Sequence, residues 1–250
     1  MSEYRFPNES AAYRQARNEL LKAERDLKVQ VDRTAAARAA LPLGGGAKED
    51  YVFEELGPGG RVRKVKLSEL FEDGKDSLFL YSFMYGPKDK EPCPMCSSFL
   101  DGLNGNAAQI GSRINLAVVA RSPIERVAKF AKQRGWSNLR LLSSARNTYN
   151  RDYFGETAEG EQDTMANVFV RRNGTIFHFW GTEKQFVNPD GDPCHIDTMW
   201  PLWNVLDTTP EGRGDWYPPL ERPGKRAAPK RAVAKKSKKA KQAARRSRGR

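Results

Sequence analysis

Only three cysteines occur in 250 residues. That is too few for a disulfide framework, and a chain of this length buries enough surface to fold without staples. No uninterrupted apolar stretch is long enough to cross a bilayer. The opening MSEYRFPNESAAYRQARNEL is charged from Glu3 onward and has no apolar core, so neither a membrane span nor a secretory signal is expected. Internal repeats and a glycine-rich phosphate loop are also missing, which argues against nucleotide chemistry. These absences predict a soluble, cytoplasmic protein. In a reducing compartment its thiols would serve catalysis or metal binding, or stand idle, rather than form structural bridges.

Acidic residues are absent from 222 to 250, although fourteen of the 43 lysines and arginines lie there. The remaining 29 basic residues meet 31 acidic ones, so the net charge of +12 belongs to the tail and the body is near neutral. The tail, RPGKRAAPKRAVAKKSKKAKQAARRSRGR, also lacks aromatics and has few apolar residues. It is expected to be disordered and to neutralise phosphates of DNA or RNA, or another polyanion, without reading sequence. With no aromatic platform, single-strand stacking is not expected. Such a tail would associate the protein with the nucleoid.

Three segments follow from composition: an N-terminal helix and linker (1–46), a globular domain (47–221) and the basic tail (222–250). Apolar residues at Tyr13, Ala16, Leu20, Ala23, Leu27 and Val31 recur three or four apart, predicting an amphipathic helix over 9 to about 39 that packs on the domain or forms a dimer seam. Leu41-Pro42 and glycines 44 to 46 end it. DYVFEEL and RVRKVKLSELF around Gly57-Pro58-Gly59-Gly60 predict a hairpin running into a turn of helix at Leu67 to Phe71. A buried strand follows at Leu78 to Tyr85, then a helix over CSSFLDGLNGNAAQIGSR with a weak point at Asn104-Gly105. INLAVVA (114–120) has the continuous apolar character of a central parallel strand. Together these make a right-handed βαβ unit.

The next helix is expected to start at Ser122, as N-cap, with Pro123 in its first turn, and to stop at Gly135. NLRLLSS predicts a short strand, and RNTYNRDYFGETAEGEQD a long irregular connection. ANVFVRR and TIFHFWG around Asn173-Gly174 predict a hairpin. HIDTMWPLWNVLD predicts a final helix opened by Asp197. The order βαβ, helix, hairpin, helix is an α/β architecture of thioredoxin-like topology.

Cys93-Pro94-Met95-Cys96 falls where the first strand of that unit gives way to its helix. Unpaired N–H groups and the positive end of the helix dipole stabilise an anion there, so Cys93 is expected to be the attacking thiolate. Cys96, one turn on, would resolve the mixed disulfide. Pro94 lacks an N–H that would have no partner there anyway. Arg121, at the end of the second strand, would emerge at the same sheet edge, able to lower a thiolate pKa or hold an anionic substrate, or else to bond loop carbonyls. His178 reads as a rim or core histidine. Tyr149, Tyr153 and Trp136 read as packing or as a pocket wall near that edge.

DYVFEE, YSFMYGP with CPMCSSFLDGLNG, VVARSP, RGW, the serines at 143 to 144 and WPLWNVLDTTPEGRG together resemble the bacterial thioredoxin-like family catalogued as domain of unknown function eight-nine-nine, over roughly residues 40 to 220. The resemblance implies a thioredoxin-like fold with paired thiols at Cys93 and Cys96, without fixing a substrate. Thioredoxins proper carry a cis-proline before the strand facing the dithiol; here Met165 or Ala166 is expected in that place. Met84 and Cys93 stand nine positions apart, so the loop from Gly86 to Pro92 would re-aim the pair.

Three readings therefore stand. The first is a thiol–disulfide oxidoreductase acting on protein or small-molecule thiols and disulfides, with no bound cofactor. The second is a non-catalytic thioredoxin-like scaffold held on nucleic acid by its tail. The third is a zinc-stabilised domain using Cys93, Cys96 and Cys194 or His195, a set hampered by the divergence of adjacent side chains.

Overall fold

The computed structural model describes residues 4–72, 74–183 and 194–221. The basic tail at 222–250 lies outside the described residues.

Helix α1 (Ala11–Ala39) is N-capped by Ser10, whose hydroxyl accepts from the Tyr13 amide. Its expected apolar stripe is not covered by the domain: Leu20 is 52% exposed and Leu27 65%, and Arg14 is the one buried residue of the helix. The linker beyond it does more than connect. Gly44 N–H donates to His178 O (3.1 Å), His178 N–H to Gly45 O (2.9 Å) and Ala47 N–H to Ile176 O (2.8 Å), so this segment lies along a sheet edge and covers it.

Strands β1 (Val52–Leu56) and β2 (Val62–Lys66) form the expected hairpin, followed by a 3₁₀ turn at Leu67–Leu70. Strand β3 (Ser77–Ser82), helix α2 (Pro94–Gly111) and strand β4 (Asn115–Ala120) make the βαβ unit, with β3 parallel to β4. Asn104-Gly105 does not interrupt α2. Helix α3 (Ile124–Arg134) ends, as expected, on Gly135 in the left-handed region (φ 74°). Its N-cap is Pro123 rather than Ser122: Pro123 O accepts from Arg126 N–H (3.0 Å) and Val127 N–H (3.2 Å), while Ser122 Oγ is directed to Gly86 O, to which it donates at 2.8 Å. Strand β5 (Arg140–Ser143) pairs parallel to β4, and the long connection contains one short helix, α4 (Tyr149–Asp152).

Strands β6 (Met165–Arg172) and β7 (Thr175–Gly181) turn through Asn173 (φ 51°) and Gly174 (φ 77°), the paired positive φ values that a tight hairpin needs. A bulge between Val168 and Phe169 shifts their register. The last helix, α5 (Pro201–Leu206), starts at its proline. Asp197 instead opens a separate 3₁₀ turn, Asp197–Met199, its carboxylate engaged by Arg213.

The sheet runs β2-β1-β5-β4-β3-β6-β7. Within it, β4-β3-β6-β7, with β6 antiparallel to β3 and β7 antiparallel to β6, is the thioredoxin arrangement. Alternation along the strands divides the core between two faces. Leu78, Leu80, Ala117 and Val119 join Tyr51, Phe53 and Tyr149 on one side. Tyr81, Phe83, Val118 and Ala120 join Phe99, Phe130, Trp136, Trp200 and Trp203 on the other. Only the second face carries α2, and the dithiol sits on it.

Candidate active site

Cys93 occupies the N-cap of α2, and Pro94 its first helical position. The Cys96 amide donates to Cys93 Sγ at 3.4 Å, so the sulfur stands where the helix presents unpaired donors. Cys93 N–H bonds Met84 O (3.0 Å), which ties the motif to the strand end across the intervening loop. Ser97 Oγ donates to Cys93 O at 2.8 Å and fixes the first turn. Cys93 is half-buried and Cys96 fully buried.

This asymmetry divides the two thiols chemically. The hydrogen bond from Cys96 and the backbone donors of Cys96 and Met95 outweigh burial, and they lower the Cys93 pKa from its ordinary 9.0 to about 7. Cys96 is pushed the other way, well above the ordinary range, by the hydrogen bond it gives to Cys93 and by complete burial. Near neutral pH the outer sulfur is therefore substantially thiolate while the inner one keeps its proton.

Beneath the pair lies Tyr81, which burial keeps protonated far above its ordinary 10.0. Its hydroxyl donates toward the Cys96 sulfur and stands 2.8 Å from Thr164 Oγ1, which also reaches Ser82 O at 3.2 Å. Thr164 and Asp163, not Met165 or Ala166, line the cavity with the dithiol. Met165 points away, its sulfur accepting from Thr182 Oγ1 at 3.1 Å, and Ala166 is buried in the core. The described residues contain no cis peptide bond.

The loop between Met84 and Cys93 is held by a residue that sequence reasoning missed. The Arg126 guanidinium donates to the carbonyls of Gly86, Pro87, Asp89 and Lys90 and lies 4.5 Å from the Tyr85 ring. Asp89 closes the loop by accepting from Gly86 N–H at 2.6 Å. The one available signal is position: Arg126 falls in the first turn of α3, at the sheet edge where ligands of open α/β sheets bind.

Other expected site residues are dispersed. Arg121 is not on the cavity wall. Its guanidinium bonds Ser144 O (2.9 Å) and Asn147 O (3.2 Å) and pairs with the buried Glu156 at 3.0 Å, so its charge is consumed in bracing the connection after β5. His178 Nε2 meets Asn167 Oδ1 at 2.9 Å, and its ring stacks on Tyr153 at 5.6 Å in a separate cavity of about 560 Å³. Burial lowers its pKa. Tyr149 is a core residue, and Trp136 packs between helices with its Nε1 donating to Asp101 at 2.7 Å.

Cys194 and His195 line the same cavity of about 550 Å³ as Cys93 and Cys96. Yet among the described residues no three His, Cys, Asp or Glu side chains are grouped to hold a metal ion, so the expected zinc set of Cys93, Cys96, Cys194 and His195 is not assembled. The rest of the wall includes Met84, Met95, Trp200, Trp203, Trp216 and Arg213. Three of the chain's five tryptophans thus stand at the dithiol. Trp200 and Trp203 fall in HIDTMWPLWNVLD, which the sequence pattern assigns to a packed helix, and their crowding toward Trp216 is the available sign of a wall.

No helix among the described residues is long and apolar enough to cross a membrane. Among solved structures, the chain is similar to a reduced 2-Cys peroxiredoxin of Plasmodium vivax: 17% identity, 66% of this chain and 96% of that one covered, TM-score 0.43. It is also similar to reduced Prx3 of Vibrio vulnificus in complex with hydrogen peroxide (13%, 60% and 94%, TM-score 0.41). A third is the peroxidoxin BcpB of Mycobacterium tuberculosis (19%, 63% and 93%, TM-score 0.37). No curated protein matches the chain. A thioredoxin-like sheet carrying CPMC at the head of α2 lies inside a longer match, residues 4–236, to the model described as bacterial protein of unknown function (DUF899), and the chain belongs to that family.

Proposed function

We propose that this protein is a thiol–disulfide oxidoreductase in which Cys93 attacks and Cys96 resolves. The observation that carries the reading is the placement of Cys93 Sγ as the cap of α2, accepting the Cys96 amide while Cys96 lies buried behind it. The Cys93 thiolate attacks one sulfur of a disulfide, forms a mixed disulfide and expels the first thiolate. Cys96 then attacks Cys93 Sγ, and its proton leaves with the second departing thiolate. The substrate disulfide gains two electrons and becomes two thiols, while the protein gains a Cys93–Cys96 disulfide. An external dithiol must reduce that bond before the next turnover. The high pKa of Cys96 makes its deprotonation the demanding step, and a donor from Tyr81 eases it by stabilising the nascent anion.

Single turnover of the pre-reduced chain tests this reading. Cys93→Ser is expected to abolish the burst of released thiol, and Cys96→Ser to trap the mixed disulfide on Cys93. A burst that survives in Cys93→Ser sinks the assignment.

A separate role is proposed for 222–250, supported by the segregation of fourteen basic residues with no acid. This segment binds the phosphates of DNA or RNA and holds the protein on them. Retention on duplex DNA should fall steeply with added salt and vanish when 222–250 is deleted, with thiol chemistry intact. Retention that persists after the deletion would move the binding into the body.

A further inference from the structure

We infer that the disulfide taken at Cys93 is a small, apolar organic disulfide, aryl or branched alkyl, rather than an anionic peptide disulfide or a polypeptide. This rests on the thiol–disulfide reading above.

Shape is the first argument. Cys93 opens into a concavity of about 550 Å³, a size suited to a small ligand, whereas extended chains dock on grooves and sheet edges. The walls are the second. Met84, Met95, Trp203 and Trp216 line the same cavity as Cys93 with flexible thioethers and flat indoles, surfaces that gain most from apolar or aromatic contact. Trp216 is 47% exposed and stands edge-on to the Trp203 ring at 6.1 Å, at the rim where it can cover a ligand.

Charge supplies the third argument. The wall's arginine, Arg213, is already bound to Asp207 (Nε to Oδ1 2.9 Å, Nη2 to Oδ2 2.7 Å) and to Asp197 (2.5 Å), and it stacks 5.2 Å from the Trp203 ring. Two carboxylates match its one charge. A substrate bearing several carboxylates would therefore find the one guanidinium among the described lining residues already engaged, while an uncharged disulfide would desolvate nothing costly.

The chemistry balances as given above. The Cys93 thiolate and R–S–S–R yield Cys93–S–S–R and RS⁻. Attack by Cys96 then releases the second RS⁻, which takes up the Cys96 proton. No oxidant beyond the substrate is needed for one turnover.

The test uses the full-length, pre-reduced chain in single turnover with three probes: neutral 4,4′-dithiodipyridine, uncharged di-tert-butyl disulfide and oxidised glutathione. Each rate is divided by that of dithiothreitol at equal thiolate concentration, which removes the intrinsic leaving-group difference. The neutral probes are expected to show normalised rates about tenfold to a hundredfold above oxidised glutathione, the range that burying one apolar group provides. They should also saturate, which a free thiol does not. Trp216→Ala at the exposed rim should cut that preference severalfold. Trp203→Ala should do the same, with its thermal unfolding recorded to show that it folds. Equal normalised rates for all three probes, or a preference for oxidised glutathione, would overturn the inference and leave the thiol reading intact. Failure to react with any probe would overturn both.

Discussion

Tyr81→Phe isolates one hydroxyl. Phenylalanine keeps the ring, so packing against Phe99, 4.9 Å between centroids, survives and no cavity opens. Thr164 Oγ1 loses its 2.8 Å partner but can turn to Ser82 O, already at 3.2 Å, so no buried donor is stranded. The folding cost should stay near 1 kcal/mol. The kinetic cost falls on one step. A hydrogen bond to an anion is worth about 1.5–3 kcal/mol, against little for a neutral thiol, so stabilisation of the Cys96 anion is lost while its ground state hardly changes. At about 1.4 kcal/mol per decade, attack by Cys96 on the mixed disulfide should slow by roughly tenfold to a hundredfold. Formation of the mixed disulfide by Cys93, which Tyr81 does not touch, should keep its rate. Rapid quenching followed by intact-mass analysis would show an adduct on Cys93 that accumulates in the variant and not in the native chain. Resolution at the native rate would refute the role given to Tyr81.

Cys96→Ala removes the side-chain donor that contributes most to lowering the Cys93 pKa. The iodoacetamide rate should therefore reach half its plateau at a higher pH than in the native chain; an unchanged midpoint would assign the shift to the helix terminus alone. Arg126→Ala strips four carbonyls of their donor. It should destabilise the fold by about 2 kcal/mol in denaturant and raise amide exchange across Gly86 to Lys90, whereas native protection there would contradict the bracing role. Arg121→Ala, with its charge consumed by Glu156 and loop carbonyls, should lower stability and leave the Cys93 alkylation profile unmoved. A moved profile would put Arg121 back in the site.

Elements with a strong local signal were legible. Asn173-Gly174 required its hairpin, Gly135 its helix stop, and the apolar run from Leu78 its central strand, which ends at Ser82 rather than at the expected Tyr85. CPMC announced a thiol pair at a strand–helix joint because both the N-cap effect and the three-residue separation are local physics. What escaped depends on long-range partners. Ser122 has every attribute of an N-cap, yet Gly86, 36 residues away, claims its hydroxyl. Arg121 and Arg126 are both arginines near one sheet edge, and only tertiary contact tells that the first braces one loop and the second another. The residues facing the dithiol, Asp163 and Thr164, lie at the end of a polar connection with no periodicity to fix their register. Cys194 shares a wall with Cys93, a proximity that only the zinc reading anticipated.

The central claim is that the fold makes Cys93 a thiolate near neutral pH. It is tested most directly by titrating the ultraviolet thiolate absorbance of the reduced full-length chain, with Cys93→Ser as the blank. A single-thiol step with its midpoint at about 7 is the predicted result. A difference spectrum with no step until the ordinary cysteine range around 9.0 would contradict it.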